Sequence, residues 1–455
     1  MKKYIAVLLA GALLASCKDA TGVSDLNNPS LDDALSRPLT LGALQNLMVG
    51  YNDAQRAALG IAPANYINFA EVMARDAYRI DASESRYVNE FLNGTPDPSA
   101  FSGGGNFTTF FRNIRAANTI LQALPGATAE ISASQKAGMN GVVKTLKAID
   151  YYRALEYRDT LGIPYAVEAP LGSELAPIVC KTKVLANISN LLDSAYNDLL
   201  AGGSALPSGT LPRGYAGFNT PATFAKFNRG WKGKVELYRA LDHQAPTGAA
   251  GFNAALTALN ASFINLTDPA TGVYFTFSTA PGDTPNQLVD GNLHLNPQVS
   301  DSLQAGDKRG AKIVPITPLT QQGLSYKSNF KVSQTQDIPY LKNEELVLLR
   351  AQAKVGLGDL AGATADVNFV RSASGGLAPL PVFANATEAI SKILIEKRYS
   401  LLMESAHRLV DLRAYGLLNN TYFKKERTGD IFLKALPIPQ NEADQRHGNT
   451  TPVCN

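Results

Sequence analysis

The chain has 455 residues, 45% hydrophobic and 18% charged, with a formal net charge of +3. That is apolar material for a sizeable core, and the length by itself allows two or three domains. Lysines and arginines are scattered and nearly balanced by acids, so no basic patch points to nucleic acid.

The first residues read as a processing signal. Lys2 and Lys3 precede an apolar run from Ile5 to Leu14, far shorter than the ~20 residues a helix needs to cross a bilayer. The run stops at Leu14-Ala15-Ser16-Cys17, a match to the lipobox of bacterial lipoproteins, so residues 1–16 are expected to be a signal peptide and Cys17 the lipidated first mature residue. Each buried methylene of an acyl chain contributes about 0.8 kcal/mol to membrane binding. Residues 17–36 then read as a polar tether, and 37–455 as one domain. With Cys17 set aside, Cys180 and Cys454 remain, an even pair in an exported protein. They are open to two readings, a disulfide or two buried thiols.

Helical periodicity dominates the chain beyond the tether. Phe110, Ile114, Ala117, Leu121 and Leu124 line one helix face, ended by Pro125 and Gly126. Met139, Val142, Leu146 and Ile149 repeat the spacing up to a turn at Gly162-Ile163-Pro164, which predicts an antiparallel helix pair. A second set runs through Ile188, Leu191, Ala195 and Leu199, then through Trp231, Val235 and Tyr238. A third joins Leu346, Leu349, Ala353 and Leu357 to Leu360, Ala363, Val367 and Val370 across Gly358-Asp359. Helix, tight turn, helix with small residues at the crossing is the form of a tetratricopeptide-like unit. The glycines from Gly356 to Gly362 lack dinucleotide-loop spacing and read as the end of one helix and the start of the next.

From about residue 251 to 339 the pattern changes to turn chemistry around a strand-like VYFTFST, a loop-rich insertion where a binding surface can be displayed. Near the C-terminus Ile395, Tyr399, Leu402, Ala406, Leu409 and Arg413 make one stripe, introduced by Thr387 and Glu388. Beside it Glu404, Arg408 and Asp411 admit two readings, a charged site or ion pairs that fix this helix against its neighbours, and acid and base at helical spacing favour the second.

Catalytic signals are poor. His243, His294, His407 and His447 lie far apart with no zinc-ligand spacing, and no nucleophile elbow is present, so no metal and no cofactor are expected. Asp76 and Glu84 could serve a glycosidase as paired carboxylates, but nothing else assembles around them. Aromatic faces flanked by polar partners can hold a ligand. On that ground Tyr78, Arg79 and Tyr87 before the first helix pair, and Tyr274 and Tyr326 in the insertion, are the ligand candidates, while the single tryptophan, Trp231, reads as core.

Several segments resemble the SusD/RagB nutrient-uptake lipoproteins. FRNIRAANTILQALP is similar to that family's N-terminal signature, and KAIDYYRALEYRDTLGIPY to its tyrosine-rich helix ahead of a Gly-x-Pro turn. PYLKNEELVLLRAQAKVGLGD, Asp307-Lys308-Arg309 and the terminal LPIPQNE also have counterparts. In EKRYSLLMESAHRLVDLRAYG, Glu396, Arg398, Glu404, His407, Arg408, Asp411 and Leu412 fall in step with the family; Ser405 stands where glycine is usual and Leu409 where tryptophan is usual. The resemblance implies a mainly α protein, with tetratricopeptide-like helix pairs forming a superhelical scaffold and an irregular insertion containing short strands. It further implies an outer-membrane lipoprotein facing the cell exterior that binds a nutrient, most often a glycan or oligosaccharide, without chemistry. The implied partner is a SusC-like TonB-dependent transporter. A tetratricopeptide-like envelope lipoprotein that scaffolds a protein complex is the alternative, and a peptide ligand stays open beside a short oligosaccharide.

Overall fold

Apolar residues three and four apart can leave water only by winding into helices that face one another, and this chain obeys that rule for most of its length. The computed structural model describes residues 38–60, 66–99, 103–169, 172–423 and 425–454. Cys17 and the tether lie outside the described residues.

In chain order the elements are α1 (Leu41–Ala57), α2 (Tyr66–Met73), β1 (Ala77–Arg79), α3 (Arg86–Asn89), α4 (Gly105–Ala123) and α5 (Ala133–Arg158). Next come β2 (Ile163–Pro164), β3 (Ile178–Val179), α6 (Lys181–Leu200), α7 (Pro221–Ala240), α8 (Gly248–Asn260), β4 (Gly272–Phe275), β5 (Leu293–Leu295) and α9 (Pro297–Asp301). The last are β6 (Ile313–Gln321), β7 (Leu324–Phe330), β8 (Ile338–Lys342), α10 (Asn343–Gly356), α11 (Leu360–Ala373), α12 (Ala386–Ser400), α13 (His407–Ala414) and α14 (Gln440–Gln445).

From α4 to α8 each helix packs on the next, and α10 packs on α11 and α12, so the helix pairs expected from the periodicity are present. Two of these helices start with reciprocal caps, Ser132 with Gln135 on α5 and Thr220 with Thr223 on α7. Close crossings depend on missing side chains: a Cβ at Gly141 would meet Leu199 Cγ at 2.5 Å, and one at Gly233 would meet Leu259 Cγ at 2.5 Å. The main core joins the N-terminal helices to α7 and α10, with Trp231 buried between Tyr152 and Tyr340. A smaller core of Val347, Ala351, Val367, Val370 and Ile393 lies among α10, α11 and α12.

Among the described residues the strands form two-stranded antiparallel ladders, β1 with β5, β2 with β3, β4 with β8 and β6 with β7. Two ladders reach far along the chain. The first sets Tyr78 opposite His294, and the second ties β4 to the start of α10.

Two expectations need correction. The insertion does not begin near residue 251, because Gly251, Ala255, Ala258 and Leu259 form a helical stripe that α8 buries; irregular chain starts after Asn260. The C-terminal stripe is also not one helix. Asn385 rather than Thr387 caps α12, accepting from the Glu388 amide, and α12 ends at Ser400. Met403 takes a left-handed φ of 60° before α13 restarts at His407. Leu402, Ala406 and Leu409 are buried on both sides of the break, so the apolar spacing survives a turn that periodicity cannot detect.

The charges beside that stripe are buried ion pairs. Lys397 meets Asp411 at 2.6 Å, Arg398 meets Asp76 at 2.7 Å, and Arg309 meets both Asp307 and Glu396, at 2.7 and 2.6 Å. Each ion leaves water at a substantial desolvation penalty, which its partner must offset. His407 sits among them, its Nδ1 3.6 Å from Glu345 Oε1. Burial, reinforced by the positive charges of Lys234 and Lys397, holds its imidazole well below the usual histidine range.

Cys180 and Cys454 form a disulfide with Cα atoms 5.3 Å apart and a sequence separation of 274. Main-chain bonds back it: the Cys180 amide donates to Val453 O at 2.9 Å, and the Val453 amide to Ile178 O at 2.8 Å.

This packing sets two expected outcomes for stability. Replacing both Cys180 and Cys454 by Ser is expected to lower unfolding stability by about 2–5 kcal/mol with the helical content retained; an unchanged denaturation midpoint would show that the main-chain pairing alone holds the tail. For His407 the folded value lies below the unfolded one, so its contribution is complete above pH ~6.5 and lost as pH falls below it. Glu345, raised by burial, acts with the opposite sign at lower pH. Wild type should therefore lose stability below pH ~6.5 more steeply than His407→Gln, by no more than about 1.4 kcal/mol per pH unit. Equal slopes in thermal melts would assign the dependence to other groups.

Candidate ligand-binding cleft

Strand β8 delivers Lys342 to the left-handed turn between α12 and α13. Its ammonium donates to Ser400 O at 3.0 Å, Glu404 Oε1 at 2.6 Å and Glu344 Oε1 at 2.6 Å. Lys312, just before β6, reaches the same turn, donating to Ser400 O at 2.7 Å and to Tyr399 O and Glu404 Oε1 at 3.2 Å. Burial alone would pull both ammonium groups down. Glu404 and Glu344 more than reverse this for Lys342, while Lys312 stays below its ordinary value. Burial would likewise raise Glu344, but Lys342 and Lys312 hold it low.

Above this charge cluster is a cavity of 240 Å³, walled by the helical scaffold on one side and by the insertion on the other. Tyr274, Asn286, Phe330 and Asp337 contribute from the insertion, and Lys342 and Glu404 from the floor. A bulge in the β4–β8 ladder between Val273 and Tyr274 shifts the register there. Tyr274 is half-buried, its hydroxyl donates to Ala270 O, and burial pushes its pKa up to about 12.

The other sequence candidates fall elsewhere. Tyr78 on β1 is buried and donates to Glu426 Oε1 at 2.7 Å. Across the ladder from it, His294 stacks on Tyr326 with ring centroids 3.9 Å apart. Arg79 lies 4.1 Å above the Tyr87 ring and pairs with Asp290 at 2.8 Å. Tyr78, Arg79, Tyr87 and Tyr326 are therefore gathered where β1, β5 and β7 meet. The three tyrosine rings are buried there, and in that state they dock the insertion on the scaffold rather than offer a face to a ligand. Tyr274 alone of the five lines the cavity.

Lys312, Lys342, Glu344 and Asn286 are not singled out by the sequence, where Glu404 reads as a structural ion pair in preference to a charged site. Apart from Lys342 and Glu344, which are two residues apart, they are separated by tens of residues, so no local spacing links the group. Of the carboxylates considered for hydrolysis, Asp76 is buried against Arg398 and Glu84 is bound to Arg86. No cluster of three or more His, Cys, Asp or Glu suited to a metal occurs among the described residues.

A larger groove of 470 Å³ runs between the start of α4, the segment after β2, and α14. Its Arg115 and Arg446 donate to Ala169 O at 3.1 Å and Ala176 O at 2.7 Å, bracing the groove's own wall. Among the described residues no helix is long and apolar enough to cross a membrane.

No family model and no curated protein matches this chain. Solved structures do. Surface glycan-binding protein A from Bacteroides uniformis is 18% identical, with 90% of this chain and 98% of that one aligned at a TM-score of 0.66. NanU of B. fragilis is 16% identical over 93% and 98% of the two chains, at 0.65. A SusD superfamily protein from Bacteroides fragilis is 15% identical over 89% and 94%, at 0.66. Nearly the whole length of this chain, helix pairs and insertion alike, thus has the mainly α fold of the SusD superfamily.

Proposed function

We propose that this protein belongs to the SusD/RagB nutrient-uptake lipoproteins, and that it binds a glycan or oligosaccharide and delivers it to a SusC-like TonB-dependent transporter in the outer membrane. The observation that carries the reading is the full-length likeness to solved SusD-like proteins, one of them described as a surface glycan-binding protein. The lipobox at Cys17 supports an acyl anchor and an outer-membrane location facing the exterior. The Tyr274 cleft supplies an aromatic ring flanked by carboxylates and an amide, the groups a sugar requires. Anchoring confines the protein to the plane of its transporter, so a weak site gains effective concentration there. In this reading the protein holds its ligand without cleaving it.

Purification of the full lipidated chain from its native outer membrane, with mass spectrometry of its companions, is expected to recover a stoichiometric TonB-dependent transporter. Recovery with unrelated envelope proteins instead would overturn the delivery role in favour of a scaffolding one. Cys17→Ala is expected to release a folded protein from the membrane fraction, and its retention there would contradict the acyl anchor.

A further inference from the structure

On the cleft's floor the ammonium and hydroxyl donors are already engaged. Lys312 and Lys342 each donate three times to oxygens of the surrounding chain, at 2.6 to 3.2 Å. The Ser374 hydroxyl donates to Glu344 Oε2 at 2.5 Å, the Tyr274 hydroxyl to Ala270 O, and the Asn286 amide to Gln336 O at 2.7 Å. Acceptors are in surplus. Glu404 Oε2 is buried and accepts no hydrogen bond, a standing cost for a carboxylate oxygen. The residue that carries it comes directly after Met403, whose left-handed conformation is held by its amide donating to Glu71 Oε1 at 3.0 Å. A strained residue of this kind fixes its neighbour's direction and marks a constraint beyond packing.

Charge points the same way. The two ammonium groups and the carboxylates of Glu344 and Glu404 cancel, and at the mouth Asp337 is matched by Arg213 at 3.8 Å, so the cleft holds no net positive charge for an anion. An anion entering the cleft would meet no free donor on its floor and would have to break a lysine pair to gain one. A hydroxyl brings its own proton and needs only a free lone pair on the carboxylates of Glu404 or Glu344, which leaves the lysine pairs in place. Leu288, Phe330, Val332 and Ile338, with the Tyr274 ring, give the apolar wall that a sugar's C–H face needs. The volume, 240 Å³, is below the roughly 300–1,000 Å³ of drug-sized sites and suits a single ring.

Resting on the glycan-binding reading above, we infer that the cleft takes one neutral, hydroxyl-rich sugar ring, its hydroxyls donating to Glu404 and Glu344, and turns away sugars that carry carboxylate or sulfate. The test is calorimetric titration of the full chain with two matched pairs, galactotriose against trigalacturonate and mannotriose against trimannuronate. A neutral member is expected to bind at least tenfold more tightly than its acid. Gln336 is exposed at the mouth, so Gln336→Lys leaves the fold alone and should narrow that ratio severalfold by adding a free ammonium. Tyr274→Ala should weaken neutral-sugar binding at least tenfold. Glu404→Gln should do the same where circular dichroism shows it folded; if it does not fold, Tyr274→Ala and Gln336→Lys carry the decision. Acid sugars bound as tightly as neutral ones would overturn the inference and leave the glycan-binding reading standing. Unchanged affinity and ratio in the folded variants would move the site away from this cleft. Absence of binding by all four sugars at millimolar concentration would overturn the glycan-binding reading itself.

Discussion

Charge taken out of water is the constraint around which this molecule is arranged. Lys342 and Glu404 meet at 2.6 Å with side chains 7% and 10% exposed, and Lys312 and Glu344 complete the group. An ion in such a place is tolerated only when a partner offsets its desolvation. The partners here come from the end of β8 and the start of α10, from the residue before β6 and from the turn after α12, so the group closes only when all of these segments are in place. The Arg398–Asp76 pair adds α2 in the same manner, and Lys397–Asp411 locks α12 to α13. The scaffold and the insertion are thereby fixed to one another by polar contacts that tolerate little displacement, while the apolar helix faces supply most of the burial.

The cleft is a by-product of that closure. Where insertion and scaffold meet, the β4–β8 ladder and the left-handed turn at Met403 bring Tyr274, Lys342 and Glu404 to one cavity. The neighbouring cluster of Tyr78, Tyr87, His294 and Tyr326 has the complementary task of seating the insertion through buried rings.

The helices were legible because their signal is local. Residues three and four apart report a buried face whatever lies on its far side, which is why α4 to α7 and the α10–α11 turn match their predicted places, and why Gly358 and the Asp359 cap were found where the glycines suggested. The break at Met403 was not legible, since a tight turn can keep Leu402, Ala406 and Leu409 on one side and so preserve the spacing. Aromatic candidates fared unevenly for a related reason: a tyrosine beside turn residues gives the same sequence signal when exposed as when its ring is buried and its hydroxyl satisfied, as at Tyr78. Of the charges that make the cleft floor only Lys342 and Glu344 are close in sequence, and only the folded chain brings Lys312 and Glu404 to them.

The disulfide has a consequence for proteolysis. Joining residue 180 to residue 454 makes the C-terminal half of the chain and more a covalent ring, and the exposed turn at residues 279–283 lies inside it. A protease that clips that turn opens the ring without releasing either piece, because each remains attached through the sulfur bridge. Buried ladders and ion pairs on both sides of the nick then keep the pieces in register, so the molecule can be cut once and still hold its shape.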